Sequence, residues 1–131
     1  MVAPPGQARN PLEPIVKYIV AIIRPESLEA VQAALLEKDV HLMTATDVRG
    51  CGRQHGITET FRVGKGTVRL LPKVKLEIAV NDNFVKPTVD ALLKAARSNP
   101  PQIGDGKIFV LPLEECYRIR TGEQGGIAIG P

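Results

Sequence analysis

The chain has 131 residues, 44% of them apolar, with no Trp and a formal charge of +3. That composition fits one domain with a mostly aliphatic core, and the charge is too small to point to nucleic acid by itself. No apolar run reaches membrane-spanning length, which excludes direct insertion by a helix, and Cys51 and Cys116 form neither a C-x-x-C pair nor a disulfide framework, which suits a reducing, cytoplasmic setting.

Residues 1–15 hold Pro4, Pro5, Gly6, Pro11 and Pro14 and read as a loosely packed arm. The first residues lack the charged start and apolar stretch of a signal peptide. Residues 17–24 are rich in β-branched side chains and closed by Pro25, which predicts a buried strand. In 27–38, Leu28, Val31 and Leu35 recur at helical spacing behind Ser27, a residue type suited to an N-cap. Residues 40–48 alternate with period two, and so do 70–80, which predicts two more strands. A second amphipathic helix is expected over 84–97 through Val85, Val89, Leu92, Leu93 and Ala96, and Pro100 and Pro101 end it. Residues 107–113 predict a fourth strand. The domain is expected over 16–123, with 124–131 as a C-terminal tail.

The order β-α-β-β-α-β is the split βαβ of ferredoxin-like α+β folds. Two helices can cover one face of a four-stranded sheet. The other face must be buried elsewhere, and self-association is the direct route.

The connection between the second and third strands is long. Structureless loops beyond about 12–15 residues are uncommon unless functional. Residues 49–75 carry seven basic side chains and one acid, Glu59, so the positive charge concentrates in this loop and its stems. At its start, Gly50, Gly52 and Gly56 allow backbone N–H groups to turn toward an anion, and Arg53 offers a fork for phosphate or carboxylate; a plain flexible connection reads equally well. Before the last strand, Gly104, Asp105, Gly106 and Lys107 make a glycine turn ending in Lys. It is either a phosphate cradle or a type I′ hairpin-like turn. Arg118 and Arg120 alternate, so on an extended segment both guanidiniums face one side and suit a polyphosphate; a solvated edge strand is the plain alternative. His41, His55 and the two cysteines have no zinc spacing. Glu77 reads as a structural or ligand-orienting carboxylate, and no triad or placed nucleophile argues for an enzyme.

Taken together, four segments resemble the PII nitrogen-regulatory signal transduction family: 52–56, 71–77, 103–110 and 118–123 stand in register over roughly 17–123. The resemblance implies a homotrimer with nucleotide sites in the clefts between subunits and a mobile T-loop at 52–69. It implies that Gly104, Asp105, Gly106 and Lys107 wrap the phosphates of ATP or ADP, that Arg118 and Arg120 pair with them, and that Arg53 reaches in from a neighbour. Ile22, Thr44 and Glu77 are expected on the adenine side. Mg²⁺ is expected on the ATP phosphates, 2-oxoglutarate and Gln54. The 2-oxoglutarate site is expected to draw on Gly52, Gln54, Gly56 and Lys73, with Lys73 neutralising a carboxylate. The T-loop departs from many relatives: the positions of a modifiable Tyr and Ser are Gly66 and Gly64, and another common loop Tyr is Phe61.

The resemblance therefore implies a non-enzymatic sensor that regulates an enzyme, a regulator or a membrane transporter through the T-loop. Apart from a nucleotide-hydrolysing enzyme, for which no base or nucleophile is placed, two alternatives stand beside it. One is a diverged relative controlling a transporter in metal or carbon metabolism. The other is a nucleic-acid module using the basic loop, against which Phe61 is the loop's lone stacking aromatic.

Overall fold

The computed structural model describes residues 16–51 and 70–130. Strand β1 is Val16–Ile23, helix α1 Leu28–Glu37, β2 Thr44–Gly50, β3 Leu71–Asn81, α2 Val85–Ala96 and β4 Gly106–Pro112; a one-turn helix, α3, follows at Gly126–Ile129. Every pairing is antiparallel, in the order β2-β3-β1-β4. This is the ferredoxin-like α+β arrangement expected from the order of apolar patterns.

The alternation along β1 and β3 explains the layering. Ile19, Ala21 and Ile23 of β1 and Val74, Leu76, Ile78 and Val80 of β3 are buried under the helices. Val31 and Leu35 of α1 sit one turn apart on one face, and Ala91 and Leu92 of α2 complete the same core. The opposite sheet face carries no long helix. Across it, Tyr18 pairs with Leu111, Val20 with Phe109 and Ile22 with Lys107. Phe109 and Leu111 are nearly half exposed there, an apolar surface of the kind that self-association covers.

Three local expectations change. Ser27 makes no side-chain cap: it ends a short 3-10 helix, Pro25–Ser27, and already has helical backbone angles, so its hydroxyl does not reach the free N–H groups. The second strand begins at Thr44 rather than at residue 40. Asp39 takes a left-handed φ of 62° and the Val40 N–H donates to the Leu35 carbonyl, so 40–43 serve to leave α1. Finally, residues 118–122 are not extended. The Arg118 N–H donates to the Glu123 carbonyl at 2.8 Å and the Gly122 N–H to the Arg118 carbonyl at 2.7 Å, which closes a turn. The tail then packs back, burying Ala128 and Ile129 against β3.

Candidate functional site

The loop before β4 is built around one carboxylate. Asp105 accepts hydrogen bonds from Ser98 N–H at 2.9 Å, Gln102 N–H at 3.0 Å and Arg24 Nε at 3.1 Å, and from the Ser98 hydroxyl. Burial alone would raise its pKa. The bonds from Ser98, Gln102 and Arg24 outweigh that and hold it well below the usual carboxylate range. Arg24 also donates from Nη2 to the Ile103 carbonyl at 2.9 Å, and Lys73 Nζ donates to the Gly104 carbonyl at 2.9 Å. Donors thus take up the carbonyls of Ile103 and Gly104 and the Asp105 carboxylate. Gly104 and Gly106 have φ of 99° and 125°, and a Cβ at Gly106 would overlap the Ile22 carbonyl oxygen. The close approach to β1 requires glycine there.

The Asp105–Gly106 turn joins α2 to β4 rather than two strands, so the hairpin reading does not hold. Asp105 itself faces into the loop. It shapes the turn, whose Asp105 N–H donates to the Gln102 carbonyl at 3.2 Å, and Lys107 follows it into β4.

Beside this loop lies a cleft of about 580 Å³. Ile22, Lys73, Gly104, Gly106 and Lys107 line it, five of the residues singled out in the sequence, with Arg49 and Phe109 at its sides. Burial, and next the nearby Arg24, lower the Lys73 pKa, partly offset by Glu26 and Asp105. An anion entering this cleft would relieve the crowding of like charge and favour the ammonium form.

Other expected site residues lie apart. Thr44 and Glu77 are directly opposed across β2 and β3. They line a second cavity of about 460 Å³ with Tyr18, Cys116, Ala128 and Ile129. The Tyr18 hydroxyl donates to Glu77. Thr44 on β2 and Lys107 on β4 stand on opposite edges of the sheet, three strand spacings or roughly 14 Å apart. Arg118 points its guanidinium at Glu123 and the tail, and Arg120 is exposed; the turn at 118–122 removes the shared side that an extended segment would have given them. Gly52, Arg53, Gln54 and Gly56, with Phe61, Gly64 and Gly66, lie outside the described residues.

Sequence reasoning missed Arg24 and Ser98. Arg24 ends an apolar strand before Pro25, and no local pattern ties it to an aspartate 81 positions away. The glycine turn at 104–106 thus lies beside a cleft lined by Lys73 and Lys107, on an antiparallel βαββαβ sheet.

Residues 16–123 match the family described as Nitrogen regulatory protein P-II. The chain belongs to that family. It is 52% identical over 113 residues to nitrogen regulatory protein P-II 2 of Methanothermobacter thermautotrophicus, covering 86% of this chain and 96% of that one. It is 48% identical over 113 residues to nitrogen regulatory protein P-II of Azospirillum brasilense, covering 86% and 99%. Among solved structures, that of Arabidopsis thaliana PII bound to citrate superposes with a TM-score of 0.70 at 34% identity, covering 87% of this chain and 89% of that one. As a P-II protein, the chain is a nitrogen-regulatory signalling protein with the ferredoxin-like fold. Among its described residues no helix is long and apolar enough to cross a membrane.

Proposed function

We propose that this P-II protein is a non-enzymatic, cytoplasmic sensor of ATP against ADP and of 2-oxoglutarate, working as a homotrimer on a partner protein through the 52–69 loop. The convergence of Ile22, Lys73, Gly104, Gly106 and Lys107 on one cleft carries this reading. The loop before β4 is held from behind by Arg24 and Asp105, so its geometry exists before any ligand arrives, which lowers the cost of binding. Phosphates of ATP or ADP would be wrapped by the turn at 104–107 and meet the Lys107 ammonium. Arg118 and Arg120, and Arg53, would complete the countercharge.

The separation of Thr44 and Glu77 from the glycine cradle supports a site shared between subunits. In a trimer the adenine side of one chain can face the cradle of the next, and the exposed Phe109 and Leu111 supply the apolar surface such an assembly buries. Lys73 would neutralise one carboxylate of 2-oxoglutarate, next to Gly52 and Gly56. That the Arabidopsis relative holds citrate, another polycarboxylate, supports an acid ligand on this fold. Mg²⁺ would sit on Gln54, ATP phosphate and 2-oxoglutarate oxygens. An amide oxygen is a suitable hard neutral ligand, and among the described residues no cluster of His, Cys, Asp or Glu competes for the ion. Held there, the metal would supply countercharge shared by the two ligands.

Titration calorimetry of 2-oxoglutarate with Mg²⁺ and ATP, with Mg²⁺ and ADP, and without nucleotide tests this. Tight binding is expected with ATP alone. By linkage, 2-oxoglutarate should tighten ATP by the same factor. Equal affinity in all three arms would refute the sensing mechanism.

A further inference from the structure

Arg118 is held on two sides by its own tail. Its Nη1 donates to Glu123 Oε1 at 3.1 Å and its Nη2 to the Ile127 carbonyl at 3.2 Å. Both acceptors are themselves fixed. Glu123 Oε1 also accepts from the Thr121 hydroxyl at 2.8 Å, and the Glu123 N–H donates to Thr121 Oγ1 at 3.2 Å. Ile127 belongs to α3, whose Ala128 and Ile129 are buried. The Gly125 N–H donates to the Cys116 carbonyl at 2.8 Å. Asn81, the last residue of β3, donates from Nδ2 to the carbonyls of Gly126 at 3.3 Å and Gly130 at 3.1 Å. A chain of contacts thus runs from the sheet through Asn81 to the tail, and from the tail to the Arg118 guanidinium.

We infer that Glu123 and the Ile127 carbonyl form a clamp that presents Arg118 to nucleotide phosphate, and that Asn81 anchors the clamp to the sheet. The inference rests on the reading of Arg118 as a phosphate ligand. An unclamped arginine loses much rotamer freedom when it grips an anion, and one already held loses less. The clamp takes one N–H from each terminal nitrogen and leaves the rest of the donor set for the ligand. Glu123, Asn81 and the Ile127 carbonyl are positioning groups: they act through Arg118.

Charge and positioning predict opposite signs. Glu123 is an acid near a bound anion, so simple electrostatics makes Glu123→Ala bind nucleotide more tightly. The clamp makes it bind more weakly. A purely packing role lowers thermal stability and leaves affinity alone.

Titration calorimetry with ADP and Mg²⁺ on the full chain decides among these, with a thermal melt of each variant. Glu123→Ala should weaken ADP by about fivefold, and Asn81→Ala by a similar factor. The double variant should be no weaker than either alone, because both break one clamp. Glu123→Gln, whose amide oxygen still accepts from Nη1, should retain most of the affinity. Unchanged or tighter binding in Glu123→Ala overturns the clamp, as do additive losses in the double variant. Should Asn81→Ala melt below the assay temperature, the two Glu123 variants decide alone. Arg118→Ala separates the two levels. Wild-type affinity in that variant removes Arg118 from the phosphate site altogether, whereas a large loss there with none in Glu123→Ala overturns the clamp and leaves the site standing.

Discussion

Single side chains around residue 105 decide the shape of the loop before β4. Against burial, Ser98, Gln102 and Arg24 all favour the ionised form of Asp105 and hold its pKa below the ordinary carboxylate value of 3.8. A carboxyl with a lowered folded pKa adds stability that is fully present above the unfolded value and is lost as pH falls through the folded one. The stability difference between wild type and Asp105→Asn should therefore be constant near neutral pH and shrink once pH drops below 3.8. Urea titrations at a series of pH values measure this, and a difference that stays flat into acid would show that the network does not depend on ionisation. Gly106 is a second such position. Its φ of 125° and its contact with the Ile22 carbonyl leave no room for a methyl group. Gly106→Ala should lower stability by about 2 kcal/mol or more. An unchanged urea midpoint would mean that the loop relaxes freely.

Among the elements, α2 ties the cradle to the core. Leu92 has no exposure at all, packed under α1 and the sheet. Leu92→Ala should cost about 2–5 kcal/mol, since a rigid sheet and a neighbouring helix cannot collapse into the space. The same helix ends where the loop at 98–105 begins, so the variant should also weaken nucleotide binding under conditions where it is still folded. Loss of stability with nucleotide affinity intact, seen by calorimetry well below the melt, would show that the loop is held by Arg24 and Ser98 alone. β4 offers a contrast. It is an edge strand with alternate residues on each face, and its Lys107 and Phe109 line the cleft while Ile108 packs against the core.

For the whole molecule, the uncovered sheet face is the main physical problem. Phe109 is 49% and Leu111 44% exposed in the isolated chain. A trimer of about 43 kDa, three times 14.2 kDa, should be seen by light scattering. Leu111→Glu places a charge on that face away from the cleft lining, and it should shift the population toward monomer. A stable 14.2 kDa species for the wild type at micromolar concentration would remove the shared-site explanation for the distance between Thr44 and Lys107.

The order of elements and the buried face of α1 were readable from apolar period, because these are local properties of the chain; on α2 the expected stripe held for Leu92, but Leu93 is 46% exposed and Thr88 and Ala91 are buried, because packing against α1 and the sheet sets the helix rotation. Gly104, Gly106 and Lys107 came from the glycine turn in the sequence, Ile22 and Lys73 only from the family resemblance, and folding brings all five into one cleft. Local pattern could not reveal that Asp105 faces inward to Arg24, since that contact joins segments that meet only through antiparallel pairing of β1 with β4. Nor could it reveal the turn at 118–122. Alternating arginines suit a strand by period alone, but Glu123 and the Ile127 carbonyl capture one of them and bend the chain. Periodicity reports which side of an element meets the core; which distant polar groups satisfy one another is decided only when the sheet has closed.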